Sequence, residues 1–203
     1  MRVGMPKALI VVGHADIDSS CLNRKITKAL ESEDVTLHYL SRLYPDYKIN
    51  TKREQDLLIE HQHIVLLFPL YWYSCPAILK KWLDDVFLPG FAYLRGGDKL
   101  AGKTFQLVVT VGAPESGYRA GGINNFTIDE LLRPFQQTVT YVKGKYLPPL
   151  AVYESVFLSE EAADSAATRV VSKMLSDYVS PEVIYEELLQ RAELADVKLL
   201  KGN

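Results

Sequence analysis

Cysteine is nearly missing from this chain: its 203 residues hold two, Cys21 and Cys75. Neither belongs to a Cys-x-x-Cys pair or to a metal-ligand spacing, so a disulfide framework and a zinc site are both improbable, and no metal is expected. The usage fits a reducing cytosol. Long basic stretches are absent and the net charge is −2, which argues against nucleic acid as a partner. The glycine pattern Gly-x-Gly-x-x-Gly and the Walker pattern ending Gly-Lys-Ser/Thr are also absent, so neither of those phosphate-cradling loops is available. Met1 to Lys7 lacks the layout of a signal peptide, and Ala8–Val12 is too short for its apolar region. The strongest apolar run, Ile64–Leu70, is far short of the roughly 20 residues that a membrane span requires. A soluble, cytoplasmic protein is expected, peripheral at the inner face of the cell membrane if it works at a membrane.

What is present is a set of short apolar runs separated by helical patterns. Lys7–Gly13 is a continuous apolar run closed by glycine, the mark of a strand buried on both faces in a parallel sheet. Leu22, Ile26, Ala29 and Leu30 follow at helical spacing over Leu22–Glu31. Val35–Tyr39 alternates and predicts a second strand, and Tyr44–Lys48 a turn or loop. Thr51 is placed as the cap of a helix running to about Glu60, with Glu54 as its capping-box partner. His63–Phe68 is a third strand, stopped by Pro69. Ile78, Leu79, Trp82, Leu83, Val86 and Phe87 form a double stripe over Pro76–Phe87, with Pro76 in the first turn.

Phe105–Val111 is a fourth strand closed by Gly112. A glycine-rich loop leads to a helix over Thr127 to about Tyr141, kinked by Pro134. Tyr146–Val152 is a fifth strand weakened by Pro148 and Pro149. Ser159 opens a helix to about Tyr178, and Ser180-Pro181-Glu182 opens a last one, Val183 to about Leu200. Alternating strands and helices imply right-handed βαβ units. The expected fold is α/β: a flavodoxin-like, doubly wound, five-stranded parallel sheet of order 2-1-3-4-5 with helices on both faces. Residues 1–180 form this domain and 181–203 a helical C-terminal extension.

In such a sheet ligands bind beyond the carboxyl ends of the strands at the switch point, here between strands one and three. Three loops therefore matter. Gly13–Asn23 ends at a helix N-terminus, where free N–H groups and the dipole favour an anion. Ser19 and Ser20 add hydroxyl donors, and Asn23 can brace the loop. A single phosphate fits it; a plain capped helix, with Ser19 or Ser20 as N-cap, is the alternative. The second loop, Phe68–Pro76, carries Tyr71, Trp72 and Tyr73 in a row. Either a flat ring covers these aromatics or they are core or interface residues. The third, Thr110–Tyr118 running on to Gly121-Gly122, lets backbone approach a ligand closely, or is an ordinary flexible loop. Cys75 reads as a small buried residue. His61 and His63 lack a third metal ligand nearby, and Lys80 and Lys81 read as a solvated face.

At these residues the chain resembles the NAD(P)H dehydrogenase (quinone) flavoproteins. Within them it is most similar to the ancillary subunits of glutathione-regulated potassium-efflux systems. The resemblance rests on His14 with Ser20 and Asn23, Tyr44-Pro-Asp46, the stretch Phe68–Asp84, Gly90-Phe-Ala92, Gly96-Gly97, Leu100-Ala-Gly-Lys103, Pro114-Glu-Ser-Gly-Tyr118 and Leu132-Arg-Pro-Phe135. It spans about residues 7–155 and is most specific at 68–84. It implies a homodimer with one FMN, rather than FAD, per subunit. His14, Ser20 and Asn23 then belong to the phosphate end, and Leu22 is counted with the cofactor-binding residues. Leu70, Tyr71, Trp72 and Tyr73 face the flavin, while Thr110, Val111, Gly112 and Ala113 hold its other edge. Tyr118 matches a catalytic tyrosine of larger quinone reductases, but their assisting histidine has no match, since Gly121 and Gly122 lie where it would fall.

The implied activity is NAD(P)H:quinone oxidoreduction by two-electron hydride transfer with ping-pong kinetics, a quinone or related small molecule being the acceptor. The implied alternative is a regulatory subunit that activates a glutathione-gated potassium/proton antiporter, with or without redox activity. A third option, electron transfer in the manner of a true flavodoxin, is disfavoured by the aromatic loop. The tail from Pro181 carries Ile184, Leu188, Ala192, Ala195 and Leu199 at three- and four-residue steps. It is expected either to pack on its own subunit or to serve as a dimer arm or docking element.

Overall fold

The computed structural model describes residues 7–176 and 179–194. Five apolar segments build one parallel sheet: β1 (Ala8–Val12), β2 (Val35–Tyr39), β3 (His63–Pro69), β4 (Thr104–Thr110), and a fifth strand in two pieces, β5 (Lys145–Tyr146) and β6 (Leu150–Val152). The order is β2-β1-β3-β4, with β5 and β6 both on the far edge of β4. This is the flavodoxin-like order 2-1-3-4-5. The fifth strand breaks because Pro148 and Pro149 cannot donate to the ladder; Gln106 instead reaches across the gap, its Nε2 donating to the Pro148 carbonyl at 3.2 Å.

The solid apolar runs are explained by burial on both faces. Along β3, Ile64, Leu66 and Phe68 enter one core while Val65 and Leu67 enter the other. The first core lies under α2 (Leu40–Leu43), α3 (Thr51–Glu60), α4 (Ala77–Val86), α5 (Ile128–Leu131) and α6 (Arg133–Tyr141). The second lies under α1 (Cys21–Leu30) and α7 (Glu160–Met174), helices that pack on each other. Trp82, in the α4 stripe, is fully buried. A last helix, α8 (Pro181–Leu194), follows.

Several local expectations are corrected. Asn50, not Thr51, caps α3: its side chain accepts from the Arg53 N–H at 3.1 Å. Glu54 therefore closes no capping box and points into the core. Pro76 is the N-cap of α4 rather than part of its first turn. The helix expected over Thr127–Tyr141 is two helices separated at Leu132, because Pro134 fits only the first turn of a new one. The capping box predicted for α3 occurs instead at α5, between Thr127 and Glu130. Residues 40–43, between β2 and the Tyr44–Lys48 turn, form the short α2. The helix after Ser159 ends at Met174, and the expected end at Tyr178 lies outside the described residues, as does the last helix beyond Leu194.

Lys103 explains the Leu-Ala-Gly-Lys motif in physical terms. Gly102 takes φ +75, and the buried Lys103 ammonium donates to the Ile59 and His61 carbonyls at 3.1 and 2.7 Å. A cation thus closes the C-terminal end of α3, where the dipole is negative.

Two buried imidazoles make the fold acid-sensitive. Burial pushes the pKa of both His14 and His63 below the usual 6.5, so both are neutral at pH 7. A histidine with a lowered folded value binds fewer protons folded than unfolded. Stability is then full above about 6.5 and falls as the pH drops toward the folded value, by at most about 1.4 kcal/mol per pH unit per group. Thermal melts of the apoprotein should show this loss between pH 6.5 and 5.5, and His63→Gln should flatten it. An unchanged slope in that variant would clear His63 of the effect.

Candidate active site

Beyond the carboxyl ends of β1, β3 and β4 lies a cleft of about 290 Å³, lined in part by His14, Ser20, Leu22, Asn23, Tyr71 and Thr110. The β1–α1 loop supplies the end of it that faces the N-terminus of α1. Gly13 starts it without a side chain because a Cβ would lie 2.8 Å from that of Leu79. Ser20 is the N-cap of α1, its Oγ accepting from the Asn23 N–H at 3.2 Å. The capped-helix reading of this loop holds, with Ser20 rather than Ser19 as the cap of α1.

The polar side chains there are arranged as donors. The Asn23 Nδ2 donates to Ser20 Oγ at 3.2 Å and to Thr110 Oγ1 at 2.8 Å. With those oxygens accepting, each hydroxyl hydrogen is left for a ligand. His14 Nδ1 accepts from the Asp16 N–H at 3.0 Å, which places the ring hydrogen on Nε2. The imidazole is neutral, burial outweighing the pull of Asp16. Asn23 is thus a brace that aims two hydroxyls, and Ser20, Thr110 and His14 are the donors. Ser19 is used differently: its hydroxyl donates to the Asp16 carbonyl at 3.0 Å.

The β3–α4 loop is a two-residue hairpin. Tyr71 and Ser74 exchange backbone hydrogen bonds of 3.2 and 3.0 Å, and Trp72 and Tyr73 both take left-handed conformations, φ +49 and +61. Turns of this kind normally use Asn and Gly; an L residue there costs roughly 1–2 kcal/mol. Such strain concentrates at functional positions. Leu70 is half-buried, Tyr71 lines the cleft, and Trp72 projects at the tip, 93% exposed. The Tyr73 hydroxyl reaches Asn124 at 3.2 Å, tying the hairpin to the glycine-rich loop.

That glycine-rich loop folds on itself through backbone contacts. The Tyr118 N–H donates to Glu115 and the Asn124 N–H to Gly117, and a Cβ on Gly122 would lie 2.6 Å from the Gly117 carbonyl. Val111 donates to the Val152 carbonyl and is committed to the sheet edge. The N–H groups of Gly112 and Ala113, like those of Trp72 and Tyr73, have no acceptor among the described residues. Tyr118 sits 6.1 Å, ring to ring, from Tyr153. Burial first, and Tyr73 second, push its phenol pKa up, so it is a protonated donor at neutral pH. Of the four histidines only His14 lines this cleft.

Sequence reasoning missed the loop after β6. Ser155 and Val156 line the cleft because the Glu154 and Ser155 N–H groups donate to the Ala113 and Val111 carbonyls. No local pattern marks them; only the pairing of β6 with β4 brings them in. Burial pushes the Cys75 thiol up, in keeping with a small packed side chain. Among the described residues no group of His, Cys, Asp or Glu gathers to hold a metal, and no helix is long and apolar enough to cross a membrane.

The donor set fits a phosphomonoester on a flat ring system such as FMN. Two free hydroxyls, a neutral N–H and a helix N-terminus would meet a phosphate there, and the unpartnered backbone N–H groups of Trp72, Tyr73, Gly112 and Ala113 belong to the loops that follow β3 and β4. Comparison with known proteins agrees in kind. The uncharacterized NAD(P)H oxidoreductase YrkL of Bacillus subtilis is 43% identical over 173 residues, 85% of this chain and 99% of that protein. The glutathione-regulated potassium-efflux system ancillary protein KefG of Serratia proteamaculans is 44% identical over 164 residues, 80% of this chain and 90% of that protein. Among solved structures, general stress protein 14 of Treponema denticola, in complex with FMN, superposes with a TM-score of 0.79 at 34% identity, covering 84% of this chain and all of the other. An NADPH-quinone reductase from P. pentosaceus gives 0.76 at 34% identity, covering 85% and 99%. The family description "Flavodoxin-like fold" matches residues 6–175, and the chain belongs to that Flavodoxin_2 family, as a relative of its NAD(P)H oxidoreductases and KefG ancillary subunits.

Proposed function

We propose that this chain is an FMN-dependent NAD(P)H:quinone oxidoreductase working by two-electron, ping-pong hydride transfer. The observation that carries the reading is the donor set around one cleft: the Ser20 and Thr110 hydroxyls, aimed by Asn23, and His14 Nε2–H beside the N-terminus of α1. The similar protein from Treponema denticola that was solved with FMN supports it. Bound flavin would supply the hydride chemistry, and this chain would bind, orient and shield it. Ser20, Leu22, His14 and Asn23 would secure the phosphate end. Leu70, Tyr71, Trp72 and Tyr73 would form one wall, and Thr110, Val111, Gly112 and Ala113 the opposite edge. A cytoplasmic homodimer belongs to the same reading.

Tyr118 would hold its phenolic proton toward the acceptor oxygen or the flavin. Tyr118→Phe should lower kcat for quinone reduction by about ten- to a hundredfold, in line with one donor aimed at developing charge, while FMN stays bound. Unchanged turnover would remove Tyr118 from the chemistry. The reading as a whole is tested by the visible spectrum of the purified protein during anaerobic addition of NAD(P)H and then menadione. Bleaching followed by recovery is expected. A protein that takes up no FMN would overturn the assignment.

The similarity to KefG favours a second role, as an ancillary subunit that activates a potassium/proton antiporter. Potassium efflux from cells co-expressing the chain with such a transporter tests it, and efflux that ignores the chain would dismiss it.

A further inference from the structure

Helix α8 lies outside the Flavodoxin_2 match, which ends at residue 175. It has 14 residues, and the side chains from Pro181 to Arg191 are all exposed, including Val183, Ile184, Tyr185, Leu188 and Leu189. Isolated helices of this length are marginal in water, and most helical stability in proteins comes from packing an apolar face. At 100° per residue, Ile184, Leu188, Ala192, Tyr185 and Leu189 fall on one continuous arc. The stripe beside that arc is wholly acidic: Glu182, Glu193 and Glu186. Among the described residues none of the three forms an ion pair.

The complementary surface is on the sheet's far edge. A groove of about 310 Å³ runs between β6 and α7, with Leu150, Val152, Ala166 and Val170 as apolar lining. Its rim carries Arg169 and Lys173, and no acidic residue lines it. Neither cation has an ion-pair partner among the described residues; Arg169 meets only the Ser165 hydroxyl, at 2.6 Å. Arg169 and Lys173 are one helical turn apart, the spacing that also separates Glu182 from Glu186. One orientation of α8 puts its apolar arc on Val170 and Leu150 and its acidic stripe on the basic rim.

We propose that α8 of one copy seats in the β6–α7 groove of a second copy, in a reciprocal exchange. A two-fold pair satisfies both surfaces of both chains at once, whereas the single chain leaves its groove open and its α8 exposed. The proposal is independent of the flavin reading, although Tyr153, which lines the groove, also neighbours Tyr118.

The test uses the full chain and hydrogen exchange of α8 amides. One variant reverses the groove, Arg169→Glu with Lys173→Glu; the other reverses the helix, Glu182→Lys with Glu186→Lys. The wild type should protect α8, and each variant alone should lose that protection by at least tenfold. Mixing the two variants one to one should restore it, because each helix then meets a groove of opposite sign in its partner. Protection in the wild type that the mixture fails to restore would mean that α8 folds back on its own chain, and the exchange is wrong. An α8 unprotected in the wild type at every concentration would overturn it as well. Melting temperatures of both variants close to the wild type show that the domain itself is intact.

Discussion

Ser20→Asp should leave the apoprotein folded and abolish tight FMN binding. Ser20 caps α1 through its Oγ, and aspartate is an equally good cap. Its charge also suits a helix N-terminus, by about 0.3–1 kcal/mol. The apo melting temperature is therefore expected to stay level or rise slightly. A phosphate at the same place would instead meet a carboxylate where it had met a hydroxyl donor. Two unit charges 4 Å apart repel by about 4 kcal/mol at an effective dielectric of 20. Even after screening, FMN affinity should fall at least about a hundredfold, or roughly 2.8 kcal/mol. Riboflavin, which lacks the phosphate, is the control: its affinity should hardly change. Titrations by flavin fluorescence read both numbers. Equal losses for the two ligands, or no loss for FMN, would show that the phosphate does not bind at this helix end.

That contrast separates what local sequence states from what only tertiary structure supplies. Ser20 was readable as a cap, because that role arises within one loop and one helix turn. The orientation of its hydroxyl was not. It depends on Asn23, whose Nδ2 also reaches Thr110, 87 positions away. The strands were legible for a similar reason: β1, β3 and β4 are buried on both faces, so their runs are solid rather than alternating. The fifth strand and the split of the Thr127–Tyr141 helix into α5 and α6 were the hard cases, since Pro148, Pro149 and Pro134 mark a break without saying which side continues. Ser155 and Val156 had no local signal at all. The aromatic run Tyr71–Tyr73 showed where to look, but not that two of its members take left-handed backbone, nor that Trp72 projects at the tip.

Glu54 is the sharpest case, and it carries the largest expected stability effect. Local pattern assigns it to the start of α3, three residues after a threonine. In the fold its carboxylate is fully buried and collects three hydrogen bonds: His38 Nε2 at 2.7 Å, the Tyr44 hydroxyl at 2.5 Å and the Trp82 indole N–H at 2.7 Å. Burial alone would raise its pKa, but the donors outweigh burial and hold the carboxyl below its ordinary value. Burial, reinforced by the hydrogen bond to Glu54, pushes the Tyr44 phenol up to about 12. One carboxylate thereby joins β2, the Tyr-Pro-Asp turn, α3 and α4, and it fixes the helix that starts beside the aromatic hairpin. Glu54→Leu would orphan three buried polar groups, each costing about 1–3 kcal/mol, for a net loss near 3–5 kcal/mol after the gain in apolar contact. The melting temperature should drop by roughly 6–20 °C for a domain of this size. Glu54→Gln, which keeps the shape and one acceptor, should lose less. The acid limb supplies an independent sign. A carboxyl with a lowered folded value contributes stability above its unfolded value and loses it as the pH falls through the folded one. The wild type should therefore weaken below about pH 4.5, and Glu54→Leu should lack that part of the slope. A Leu variant melting within two degrees of the wild type would mean that the three donors find other partners, and that the network holds nothing together.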